Sequence, residues 1–150
     1  MPHEEISYPY GKMPDYPHMG PADEAIWNRF IENNPDRFVR VFYDFLVGNP
    51  AEALPDMPHN LTLGWYDLTR WRCDVVADDG KAIYIIEVKP SANANAIGKA
   101  ISYRVLFVQQ ERPDKKVIPV ILTDAIFETT KQVADLLGVR LWTPEKQNAN

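Results

Sequence analysis

Residues 70–89 read RWRCDVVADDGKAIYIIEVK, two apolar-rich runs on either side of Asp78-Asp79-Gly80-Lys81. Asp-Gly is the dipeptide that right-twisted strands favour in a two-residue turn, so residues 70–77 and 82–89 are expected to form a hairpin. With the turn centred on Asp79-Gly80 and side chains alternating along each strand, Asp74 shares a face with Ile85, Glu87 and Lys89. Cys73, Val75, Tyr84, Ile86 and Val88 make the opposite, apolar face and belong to the core. Arg70 and Arg72 fall on the Asp74 side, as charge partners for the acids or as phosphate contacts.

Outward from the hairpin, Ile97, Ile101, Val105 and Val108 recur at helical spacing over residues 96–110, and Arg112-Pro113 closes that segment. The run VIPVILT at 117–123 is apolar almost throughout, as a strand covered on both faces would be. Residues 126–137 read as a helix capped by Gly138, and 139–142 as a short last strand. On the N-terminal side, Pro21, Asp23 and Glu24 open a helix that buries Ile26, Trp27, Phe30 and Ile31 and stops at Asn33-Asn34-Pro35. Residues 38–47 alternate as a strand, with Val39, Val41, Tyr43, Phe45 and Val47 on one face. The type of the stretch at 61–66 is left open. The order predicts an α/β fold with a mixed central sheet flanked by helices.

Two carboxylates close together repel each other unless a cation lies between them, and hard oxygen donors suit Mg²⁺ or Mn²⁺. Such an ion polarises a phosphodiester oxygen and lowers the pKa of a bound water, while a lysine two residues from one ligand stabilises charge developing on phosphorus. The residues that carry this chemistry are Asp74, Glu87 and Lys89.

The segment from Asp74 to Lys89, written D-x12-E-V-K, resembles the PD-(D/E)XK nuclease superfamily. The resemblance spans residues 22–142 in element order. It implies a restriction-endonuclease-like core, Mg²⁺-dependent (or Mn²⁺-dependent) hydrolysis of DNA, Asp74 and Glu87 as metal ligands and Lys89 as the catalytic lysine. It also implies a glutamate on the first helix, for which Glu24 is the matching position and Asp23 and Glu32 are its neighbours in the count. Gly98-Lys99-Ala100-Ile101-Ser102-Tyr103 keeps the tyrosine of a G-Q-x-x-x-Y pattern and puts Lys99 where the glutamine stands, so Lys99 and Tyr103 join Arg70 and Arg72 as candidate DNA contacts. Cys73 stands where the superfamily's proline would be. Small chains of this resemblance occur among phage-encoded proteins, which implies a second setting: a catalytically silent assembly component in head completion or DNA packaging.

Composition narrows the remaining classes. The chain has 150 residues, 45% hydrophobic and 25% charged, which fits one globular domain and excludes wholesale disorder, collagen and a coiled-coil rod. No run approaches a membrane span and no secretory leader is evident, so the expected location is the cytoplasm, of a host cell or a virion if phage-encoded. One cysteine and three scattered histidines make no zinc site. The net charge of -5 is concentrated in residues 1–60, which hold ten acids and four bases, against eleven and twelve in 61–150. This balance argues against nonspecific coating of nucleic acid, while a local basic surface on the back part could still meet phosphates. Residues 1–21, with five prolines and three tyrosines, form an extended arm, either lying on its own domain or clasping a protein partner or second copy. The domain proper occupies 22–143 and residues 144–150 form a loose tail.

Overall fold

Residues 5–145 are described by a computed structural model; residues 1–4 of the arm and 146–150 of the tail lie outside the described residues. The elements run β1 (Ser7–Pro9), α1 (Pro21–Asn33), β2 (Arg40–Val47), α2 (His59–Thr69), β3 (Trp71–Asp78), β4 (Ala82–Ser91), α3 (Ala94–Glu111), β5 (Lys116–Ala125), α4 (Glu128–Leu137) and β6 (Arg140–Trp142). The six strands form one open sheet in sequence order. β1 to β4 are antiparallel neighbours, whereas β5 and β6 join in parallel, each after a helical crossover. The stretch around 61–66 is thus part of a helix.

The hairpin forms with a different turn from the expected one. The Asp79 N–H donates to the Ala82 carbonyl at 3.2 Å, and Gly80 takes φ 90°, so Gly80-Lys81 are the central residues. A left-handed first central residue is what glycine supplies without strain. Asp79 Oδ1 accepts from the Lys81 and Ala82 amides, and Asp78 Oδ1 from the Gly80 amide, which fixes the turn further. The register therefore sets Val76 opposite Ile85, and its continuation brings Glu87 level with Asp74.

Apolar side chains line both sides of the sheet. On one face Val41, Tyr43, Val75, Tyr84, Ile86, Val88, Ile118, Val120 and Leu122 pack against Trp27, Phe30 and Ile31 of α1. On the other, Phe45, Val76, Ile85 and Val117 meet Tyr103 and Phe107 of α3, and Ile121 meets Ala96, Ala100 and Ala134 where α3 and α4 approach. β5 is buried on both faces, as its unbroken apolar run predicted.

Three expectations need correction. Tyr43 and Val75 lie on the α1 face but Phe45 and Cys73, two residues along, lie on the α3 face. The cause is Asp44, whose φ of 54° interrupts the alternation between the paired Tyr43–Val75 and Phe45–Cys73. Cys73 therefore leaves the Val75 face to which simple alternation assigned it, and Val39, outside the strand, is 68% exposed. On α3 the buried stripe is Ala96, Ile97, Ala100, Tyr103 and Phe107, so Ile97 is buried as expected while Val105 and Val108 turn outward. Small alanines let the helix approach the sheet closely, a demand that a count of large apolar residues does not see.

The described part of the arm lies on the domain. β1 pairs with β2, Tyr10 sets its ring edge-on to Phe38 at 5.3 Å, and Tyr16 is buried at 4% exposure with its hydroxyl donating to Asn28. At the other end, Asn33 and Asn34 donate to the carbonyls of Pro144 and Glu145, so the start of the tail is tied to α1. Replacing Tyr16 by alanine removes a packed ring and a hydrogen bond together. The expected cost is about 3 kcal/mol, or a thermal midpoint lower by roughly 6–12 °C. A calorimetric midpoint unchanged from wild type would show that the arm contributes nothing to the fold.

Candidate active site

β3 and β4 pair from Val75–Ile86 to Asp78–Ile83 and part beyond that point, so the amide of Val88 loses its partner in the ladder. Asp74 stands at the parting, and its Oδ2 accepts from the Val88 N–H at 2.9 Å. The carboxylate thus takes the place of a backbone acceptor, which satisfies a donor that burial would otherwise leave unpaired. The acids meet because the strands fork beside them, rather than through face alternation alone.

Glu87 continues β4 beside Ile121 of β5 and is 6% exposed. Lys99, from the first turns of α3, places its Nζ 3.8 Å from Glu87 Oε1. Tyr103, one turn further along α3, is also buried, with its ring edge-on to Trp71 at 6.2 Å. Lys89 follows Glu87 by two residues, level with the buried Thr123 of β5. α1 contributes Asp23 from its first turn.

The electrostatics express crowding of negative charge in a place with little water. Burial raises the Asp74 carboxyl to about 6; the Val88 amide opposes the rise, Asp23 adds to it, Lys99 opposes it and Asp44 adds to it. Burial likewise raises Glu87 to about 8, with the Asp74 charge as the next cause and Lys99 and Lys89 working against it. Asp23 is raised by burial and lowered by Lys89. The Tyr103 hydroxyl is pushed up to about 12, mainly by burial and next by Glu87. Near neutral pH the acids therefore retain a proton that an incoming cation would displace.

Asp74, Glu87, Lys89, Lys99 and Tyr103 come together; three other anticipated residues do not join them. Glu24 turns to the arm, its Oε1 accepting from the Tyr16 N–H at 3.1 Å, and the acid of α1 whose charge reaches the pair is its neighbour Asp23. Helical spacing alone could not choose between adjacent residues at a helix start. Arg70 donates to the carbonyls of Gly48 and Leu46 and to Gln110 Oε1, clamping the end of β2 to α3 instead of facing a phosphate. Arg72 pairs with Asp44, the left-handed residue of β2, which also holds His18 Nε2 at 3.3 Å. Asp44 carried no signal in the sequence, because it read as a solvent-facing position of a regular strand.

The donor set suits a small hard cation. Among the described residues no group of three or more His, Cys, Asp or Glu is gathered closely enough to hold a metal, and the ligands the sequence suggested, Asp74 and Glu87, are a pair. Mg²⁺ is commonly held by one or two carboxylates, with waters and substrate phosphate completing its shell.

Both acids have folded-state values above their ordinary ones of 3.8 and 4.5, so between about pH 4 and pH 8 the folded protein holds more protons than the unfolded chain. Stability of the metal-free protein is therefore expected to fall as pH rises through that window. Glu87→Gln removes most of the slope and stabilises the protein at pH 8 by an amount on the order of 2 kcal/mol. Urea unfolding at pH 5 and pH 8 measures both; a wild-type stability that rises over this range contradicts the assignment. Comparison with protein-family models, with curated proteins and with solved structures finds no match to this chain.

Proposed function

We propose that the protein hydrolyses phosphodiester bonds of DNA with a divalent cation, on a restriction-endonuclease-like core. The observation that carries the reading is the carboxylate pair of half-buried Asp74 and buried Glu87, both raised in pKa at a strand fork with Lys89 and Lys99 beside them. Buried like charges are costly, and their persistence beside two lysines is economical if a cation and a phosphate complete the site. Element order supports the same reading, with α2 as an added helix before the hairpin: α1, β2, α2, the acid-bearing hairpin β3–β4, α3, β5.

In this account Asp74 and Glu87 hold Mg²⁺ or Mn²⁺, which when bound polarises the scissile phosphate and makes a bound water acidic. The Val88 amide orients the Asp74 carboxylate, leaving its other oxygen for the ion. Lys89 donates to the phosphate oxygen on which charge accumulates during attack. Lys99, 3.8 Å from Glu87, supplies a second positive charge that would pair with a phosphate neighbouring the scissile one. Asp23 adds negative charge at the edge of the site and strengthens its attraction for the cation.

Purified protein incubated with supercoiled, linear and single-stranded DNA in Mg²⁺ or Mn²⁺ is expected to cut at least one of these and to stop on addition of EDTA. Lys89→Ala should slow cutting by about 100-fold or more without loss of folded structure. Wild type and variant equally inert on every substrate, or equally active, would overturn the proposal.

A further inference from the structure

An open groove of about 490 Å³ lies between the end of β2, the start of β3 and the outer face of α3. Its apolar walls are Trp71, Ile101, Val105 and Leu106, and Asn49 and Ser102 add hydrogen-bonding side chains. Trp71 is 55% exposed, an unusual position for an indole. The other described tryptophans have assigned places: Trp27 and Trp142 are buried in the core, and Trp65 donates its indole N–H to the Glu52 carbonyl.

Resting on the hydrolytic reading above, we infer that this groove holds an unpaired base of single-stranded DNA, stacked on Trp71, next to the phosphate at the Asp74–Glu87 pair. Three features of the molecule select this occupant. The first is continuity: Trp71 precedes Asp74 by three residues on one strand, about 10 Å away. Its ring also meets Tyr103, whose hydroxyl feels the charges of Glu87 and Asp74.

The second is charge. Lys99 lies 3.8 Å from Glu87 and one turn before Tyr103 and the groove-lining Ser102 on α3. A chain with 21 acids and 16 bases has few cations for tracking a duplex backbone, so affinity has to come from elsewhere. Stacking supplies it, because every base presents a π-face to an indole whatever the sequence. The third is shape: the groove is sized for a small ligand, and Asn49 and Ser102 are placed to meet polar base edges, whereas a protein helix would need a longer apolar trough.

The test separates binding from cutting. In a Glu87→Gln background, which removes hydrolysis under the proposed reading, fluorescence anisotropy measures affinity for oligothymidine and for a duplex of the same length. Oligothymidine is expected to bind at least about tenfold tighter than the duplex. Trp71→Ala should weaken it by about tenfold or more, while Trp71→Phe, which keeps a stacking ring, stays within about threefold. Trp71 is exposed, so neither change threatens the core. Duplex binding equal to single-strand binding, no binding to either, or a Trp71→Ala variant that binds like its parent overturns the inference, even if wild type cuts duplex DNA. Trp71-dependent single-strand binding by a wild-type protein that cuts nothing in Mg²⁺ upholds the groove and removes the hydrolytic reading.

Discussion

The hydrogen bond from the Val88 amide to the Asp74 carboxylate is the contact on which the site depends. Where β3 leaves β4 a buried N–H loses its ladder partner, and a carboxylate is the acceptor that can replace a carbonyl while keeping a second oxygen for other work. That bond favours the charged form of Asp74, whereas burial and the charges of Asp23 and Asp44 favour the protonated form. Glu87, without a comparable backbone donor, is pushed further in the protonated direction. The balance leaves two acids close to exchanging a proton for a cation at neutral pH.

The rest of the fold supports that fork from two sides. α1 covers one face of the sheet through Trp27, Phe30 and Ile31 and brings Asp23 to the edge of the site. α3 covers the other through Ala96, Ala100, Tyr103 and Phe107 and brings Lys99. Asp44 switches the faces of β2 and β3 at the same level, which sends Cys73 and Phe45 toward α3 and leaves Asp74 against the backbone of β4. A left-handed aspartate inside a strand costs roughly 1 kcal/mol or more, and its position beside the acid pair fits the tendency of such strain to collect at functional sites. Its pairing with Arg72 and His18 offsets part of that cost.

The hairpin, the doubly buried β5 and the order of helices and strands were legible because each rests on local signals: an Asp-Gly turn, an unbroken apolar run, helical spacing with caps. That Asp74 and Glu87 stand level was legible for the same reason, since hairpin parity survives a turn displaced by one residue, whereas the fork that lets Asp74 reach the Val88 amide was not. What escaped depends on tertiary contact. The choice of Asp23 over Glu24 is made by the arm, whose Tyr16 amide takes the Glu24 carboxylate. The roles of Arg70 and Arg72 are set by the carbonyls at the end of β2 and by Asp44, and the buried stripe of α3 is set by how closely alanines let it approach β5. No periodicity in the sequence encodes a face switch at a single polar residue of a strand.

The most direct measurement is a pH titration of the carboxyl carbons of Asp74 and Glu87 by NMR, with and without Mg²⁺. The account predicts that both groups in the metal-free protein titrate above the ordinary carboxylate range, Glu87 higher than Asp74, and that Mg²⁺ moves both transitions to lower pH. Two independent titrations near their ordinary values of 3.8 and 4.5, unmoved by Mg²⁺, would contradict it.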